Sequence, residues 1–298
     1  MSDNNMADTA VDLRQHTPPP PAPVRAEIDL GGRTHPGKVR ENNEDNFHAV
    51  RFGRYLRTLL SSLPPEQVPE EVDRFGFAIA VADGMGGQAA GEVASRMAIT
   101  LLLESALNTS DWVLGREEPD LLKVMNRATQ RFQEVNDAVV AQAKTGPGQR
   151  GMGTTLSLTM SLGDDLIVTH VGDSPVYLFH QGELHRLTRD HTVAQQWRAT
   201  LSPADAARLR HVLTRAIGVP EAGGEPDVYR HKLADGDRLL LCTDGLTDMV
   251  DDESIARELG RGLSADATCQ ALVDLALEHG GRDNVTVVVA TYSITPQT

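Results

Sequence analysis

Ala78-Ile79-Ala80-Val81-Ala82-Asp83-Gly84-Met85-Gly86-Gly87 is an apolar run that stops on an acid and then on glycines. A short run of this kind, bounded by glycine, reads as a buried strand, Phe75 to Ala82, ending in a tight turn with a carboxylate at its tip. The same shape recurs downstream. Asp173 ends Leu166-Ile167-Val168-Thr169-His170-Val171-Gly172, and Asp244 ends Leu239-Leu240-Leu241-Cys242-Thr243 and is followed by Gly245. Asp283, followed by Asn284, directly precedes Val285-Thr286-Val287-Val288-Val289, and Glu44-Asp45 precedes Phe47. Six acids therefore bracket β runs, beside the residues that permit tight turns.

Around these runs the chain alternates strands and helices. Thr154 to Ser161, Asp165 to Val171, Val176 to Phe179, Arg238 to Cys242 and Val285 to Tyr292 read as further strands. Glu92 to Leu107 and Asp120 to Lys144 read as helices, the second with Leu121, Met125, Ala128, Phe132, Val135 and Val139 on one stripe and Pro119 at its first turn. Ala265 to His279 is a third, with Ser264 as N-cap and Gly280 past its end. Two helices early, strands in the middle and a helix and strand at the end do not make a regular βαβ repeat. The order predicts packed antiparallel sheets with outer helices.

Two stretches stand apart. Arg51 to Arg74 holds Tyr55, Leu56, Leu59, Leu60 and Leu63 before Pro64-Pro65, and reads as an insertion formed by a short amphipathic helix and a polar loop. His191 to Gly218 carries helical patterns at Val193 to Thr200 and Pro203 to His211, as a helical flap beside a site would. Residues 1 to 24, with prolines at 18 to 21 and 23, have too few large apolar side chains to offset the entropy of ordering and read as a disordered Pro-rich tail. Residues 25 to 298 read as a single domain.

The 298 residues hold 28 Lys plus Arg against 42 Asp plus Glu, a formal charge of −14. That balance argues against nucleic acid and anionic membrane surfaces as partners. Cys242 and Cys269 form no Cys-x-x-Cys pair and read as buried thiols. No apolar run reaches the about 18 residues of a membrane span, and the N-terminus lacks the basic flank and apolar core of a leader, so a cytoplasmic location is expected.

Carboxylates gathered at one point repel one another and raise their own pKa values unless a cation is present. With oxygen donors and no cluster of Cys or His at ligand spacing, Mg²⁺ or Mn²⁺ suits them best. Any one Asp-Gly is compatible with a plain turn; their recurrence after apolar runs favours the site. A bridged pair of such ions can activate water and clamp a phosphoryl group. Arg40, five residues before Asp45, offers paired donors for two phosphate oxygens, although spacing alone does not separate it from a surface arginine.

In order along the chain, Arg40 to Asp45, Asp83-Gly84-Met85-Gly86-Gly87 with Gly91 and Ala94-Ser95, Gly153-Thr154-Thr155, Gly172-Asp173-Ser174, Thr188 to His191, Thr243-Asp244-Gly245-Leu246 and Gly281-Arg282-Asp283-Asn284-Val285-Thr286 resemble the motifs of the metal-dependent serine/threonine protein phosphatases of type 2C, the PPM family, in its bacterial branch. The resemblance covers about residues 27 to 294. It implies an α+β fold, a four-layer α-β-β-α sandwich of two antiparallel sheets flanked by helices, with two core Mn²⁺ or Mg²⁺ ions at one end. On that mapping Asp83 bridges both ions, the Gly84 carbonyl binds one, Asp244 and Asp283 complete the first, and Glu44 reaches the second largely through water. Asp45 orients bound water or ligates directly, Asp173 with Asp244 holds a third, weaker ion, and Arg40 binds the substrate phosphate. The implied reaction is direct attack of metal-activated water on phosphoserine or phosphothreonine in protein substrates, opposing a bacterial serine/threonine kinase.

Departures from the family pattern are Met85, where some relatives carry a histidine acid, and Pro175 after Ser174, where arginine is frequent; the general acid stays unnamed. Two other readings compete. Strand, Gly84-Met85-Gly86-Gly87 and helix imitate a dinucleotide-binding turn, but Asp83 would face the pyrophosphate. A pseudophosphatase that keeps the fold only to bind a phosphoprotein or kinase is the second, and retention of every mapped carboxylate argues against it. His191 and His211 bracket the flap and are candidates to approach the substrate.

Overall fold

The computed structural model describes residues 24–64, 67–68, 71–86, 90–108, 121–145, 151–220 and 224–296. The proline-rich segment at 18–23, Gly87 and Pro119 lie outside these residues. Among the described residues, the strands and helices in chain order are β1 (Val24–His35), β2 (Asp45–Arg57), β3 (Glu71–Met85), α1 (Ala90–Asn108), α2 (Leu121–Ala143), β4 (Gly153–Thr154), β5 (Leu156–Leu162), β6 (Asp165–Val171), β7 (Val176–His180), β8 (Glu183–Arg186), α3 (Val193–Gln196), α4 (Pro203–Leu209), β9 (Asp227–Lys232), β10 (Arg238–Cys242), α5 (Asp244–Thr247), α6 (Asp252–Leu259), α7 (Ala265–Glu278) and β11 (Val285–Pro296).

The strands form two sheets in the orders β1-β11-β10-β7-β8 and β2-β3-β5-β6-β9, with β4 paired to the end of β3. Every pairing is antiparallel. Alternation along each strand sorts the layers, because successive side chains leave a strand on opposite faces. In β10, Leu239 and Leu241 enter the core between the sheets with Ile79, Val81, Leu166, Val168 and Val288. Leu240 and Cys242 turn outward onto α5, α6 and α7, where Leu246, Ile255, Leu272 and Ala276 meet them. On the far side α1 and α2 cover the other sheet through Ala94, Ala98, Phe132, Val135 and Val139. The result is the expected α+β sandwich of helix, sheet, sheet and helix.

Ser264 caps α7 by accepting from the Ala267 N–H, as its position before the helix suggests. Both cysteines are buried. The flap forms two short helices, α3 ending at Gln196 where the sequence suggests Thr200, and α4 capped by Ser202 with Pro203 in its first turn.

The amphipathic helix expected in 51–63 is a correction. Residues 51 to 57 continue β2 and pair with β3 as far as Arg57↔Glu71, so the stretch is the far end of a hairpin. Its leucines have no face to bury: Leu59 is 88% and Leu60 95% exposed. Helical spacing without a surface to cover does not hold a helix.

Candidate metal centre

All the acids singled out in the sequence lie at one end of the sandwich. Asp45 opens β2 and stands opposite Asp83 in the β2–β3 register. Asp83 is carried into the strand instead of ending it, because β3 continues through Gly84↔Thr154 and Met85↔Gly153. Asp173 follows β6, Asp244 starts α5 straight after β10, and Asp283 precedes β11. The loop from Pro36 to Glu44 crosses between the sheets at this end and brings Arg40 and Glu44. Arg40, Glu44, Asp83, Gly84, Asp173, Asp244 and Asp283 line one cleft of about 970 Å³. Asp45 is buried beside it.

Local bonds fix the backbone that carries Asp83 and Glu44. The Asp83 N–H donates to Thr155 Oγ1 at 2.9 Å and its carbonyl accepts from Thr154 Oγ1 at 2.9 Å. Asn284 clamps the crossing loop: its side-chain N–H groups donate to the Pro36 and Asn42 carbonyls, and its Oδ1 accepts from the Glu44 N–H at 2.8 Å. A Cβ on Gly245 would fall 1.9 Å from the Asn284 carbonyl oxygen, so only glycine lets Asp244 and Asp283 stand side by side. A Cβ on Gly91 would sit 2.7 Å from Glu44 Oε2, which places that carboxylate over the start of α1.

The electrostatics fit a cation. Burial foremost, then Asp45, Asp244, Asp173 and Asp283, pushes the Asp83 carboxyl well above its usual range. Asp173 is raised by burial and then by Asp244. Burial also lifts Asp45 to about 7, opposed by the nearby Thr286 and Thr243 hydroxyls. Asp45 Oδ2 accepts from Thr243 Oγ1 at 2.8 Å, whereas its Oδ1 is buried with no hydrogen-bond partner among the described residues. Buried carboxylates crowded together with an unsatisfied oxygen require positive charge, and an all-oxygen donor set suits a hard divalent ion.

Arg40 stands at the cleft but is paired, its Nη2 donating to Asp283 Oδ2 at 2.7 Å. Pro175 leaves the turn after Asp173 held, since Ser174 is buried, its Oγ 2.6 Å from Thr155 Oγ1. The two histidines part company. His211 lines the cleft with Nδ1 3.4 Å from Asp244 Oδ2 and Nε2 3.4 Å from Asp248 Oδ2. His191 is buried outside the cleft lining, which removes it from contact with a substrate there. Asp248 was not anticipated. Its ligand atom lies within 4.8 Å of those of His211 and Asp244, and its signal was the four-residue spacing from Asp244. Among the described residues no helix is long and apolar enough to cross a membrane.

The profile of the family described as Protein phosphatase 2C matches residues 71–276. Serine/threonine protein phosphatase PstP of Mycobacterium tuberculosis is 37% identical over 275 residues, which cover 90% of this chain and 46% of that protein. The chain thus spans about half the length of that relative. Serine/threonine phosphatase stp of Listeria welshimeri is 33% identical, covering 86% of this chain and 93% of its own. Among solved structures, the catalytic domain of serine/threonine protein phosphatase PstP in complex with two manganese ions aligns with a TM-score of 0.70 at 33% identity, covering 90% of this chain and all of that one. The Streptococcus agalactiae serine/threonine phosphatase aligns with a TM-score of 0.72 at 29% identity, over 89% and 99% of the two chains.

Proposed function

The chain belongs to the protein phosphatase 2C family, and from that premise we propose that it is a serine/threonine protein phosphatase acting through a pair of Mn²⁺ or Mg²⁺ ions. The observation that carries this reading is the convergence of Glu44, Asp83, Asp173, Asp244 and Asp283 on one cleft, with the orphaned Asp45 oxygen beside it. Asp83, central among the acids that raise its pKa, would be shared by the two ions, the Gly84 carbonyl, Asp244, Asp283 and Glu44 would complete their hold, and Asp173 with Asp244 would hold a third, weaker one. When bound, such ions supply the positive charge that polarises a phosphoryl group and activates water for in-line displacement.

The chain's own residues do the rest. Thr154, Thr155 and Asn284 fix the backbone that carries Asp83 and Glu44, which limits reorganisation as charge develops, and Thr243 fixes the Asp45 carboxylate from behind. Arg40, half-exposed beside Asp283, offers its remaining guanidinium donors to the substrate phosphate. Neither buried cysteine serves as a nucleophile: burial pushes the Cys269 thiol to about 12 and raises Cys242 as well. Phosphoserine and phosphothreonine proteins are the substrates, and a bacterial serine/threonine kinase is the activity opposed.

Phosphate release from phosphoserine and phosphothreonine peptides and from p-nitrophenyl phosphate tests the reading. Release is expected with Mn²⁺ and abolished by excess chelator. No release with any divalent ion would leave the chain a binding module.

A further inference from the structure

We infer that His191 is the positioning residue for Asp173 and ties the 191–218 flap to the turn that carries that carboxylate; the metal arm of this inference rests on the reading of Asp173 as a ligand. His191 grips Gly172, the residue before Asp173, from both sides. Its backbone N–H donates to the Gly172 carbonyl at 2.8 Å, and the Gly172 N–H donates to its ring Nδ1 at 3.2 Å. Gly172 has φ +109°, a conformation that L side chains rarely adopt, and a Cβ there would strike Thr155 at 2.6 Å. A glycine in such a turn has much freedom of its own, so the turn is defined by what holds it. Beyond Asp173, the Ser174 carbonyl accepts from Ser157 Oγ at 2.5 Å. Asp173 is therefore pinned between a His191 clamp and a Ser157 clamp.

The ring can accept at Nδ1 only as the neutral tautomer with its proton on Nε2. That proton points to Asp227 Oδ2 at 3.1 Å, and Asp227 is itself fixed by Arg215 Nη1 at 2.6 Å and the Tyr229 hydroxyl at 2.9 Å. Burial, which lowers the His191 pKa, favours the same neutral ring. The His191 carbonyl accepts from the Thr214 N–H at 2.7 Å, and Thr192 bridges Leu213. The two ends of the flap are thus zipped together at the residue that holds the Asp173 turn. The ring also lies 5.0 Å from that of His170, so its volume matters to packing, and the test must separate packing from bonding.

His191→Leu keeps much of the volume and removes the acceptor; His191→Asn places an amide oxygen near the Nδ1 position. Amide hydrogen exchange at Gly172 reads the clamp directly, with or without metal. Protection is expected in the wild type, lost in His191→Leu and recovered in His191→Asn. Asp227→Ala, which leaves the ring in place and removes the fixed acceptor, is expected to lose part of it and serves if His191→Leu does not fold. In Mn²⁺ titrations of the same proteins the weakest binding step should fall about 10- to 100-fold in His191→Leu, the tighter steps staying unchanged, and return in His191→Asn. Retained Gly172 protection in His191→Leu or in Asp227→Ala overturns the clamp. A lost clamp with an unchanged weak step overturns the tie to Asp173. A wild type that takes up no Mn²⁺ contradicts the proposed function, while the exchange measurement still decides the clamp.

Discussion

Asp83 and Asp244 were legible in the sequence because each stops a run of apolar residues and is followed by glycine, a conjunction that buried strands and tight turns explain together. Asp248 and the pairing of Arg40 with Asp283 were not, since both arise from chain crossings that bring residues hundreds of positions apart, or a flap and a helix, to one place. Substitution at this scale separates the roles. Asp45→Asn keeps the shape of the buried side chain and removes its charge; Mn²⁺ affinity is expected to fall about 10- to 100-fold, measured by titration. Arg40→Ala should raise KM with little change in kcat, because a phosphate contact made equally in ground and transition state contributes only to binding. A fall in kcat alone would remove Arg40 from substrate binding.

At the scale of elements, strands with two buried faces were read to within a residue or two, β6 and β10 among them. Strands β1, β2, β8 and β9 escape that reading because charged side chains interrupt their alternation, as suits the edges of the two sheets. The hairpin end at 51–63 mimics a helix in sequence because its leucines recur at helical spacing, and nothing local reveals that they cover nothing. Leu60→Ser is therefore expected to leave stability within about 0.5 kcal/mol in denaturant unfolding. Phe132→Ala, on the buried stripe of α2, should cost about 3–5 kcal/mol by the same measurement.

For the whole molecule, the charge of −14 has a local meaning: six of its acids converge where metal is expected. Asp45, raised to about 7, and Asp83 and Asp173, raised well above the usual range by burial and then by neighbouring acids, hold protons in the native state that the unfolded chain releases near pH 4. Their contribution is complete below that value and falls as pH rises, the Asp45 share being lost as pH climbs through about 7, so the melting temperature of the metal-free protein should fall across this window. Asp227, depressed to about 2, acts oppositely and only at lower pH. Mn²⁺ at about a hundred times its Kd adds about 2.7 kcal/mol, and the gain should be largest at the upper end of the window, where the carboxylates are ionised.

The binding of Mn²⁺ to the metal-free protein, followed by calorimetric titration, tests most directly whether these carboxylates form a two-ion centre. Two tightly bound ions per chain in the wild type and loss of that tight pair in Asp83→Asn are the predicted result. A single ion, or tight binding unchanged by Asp83→Asn, would contradict it.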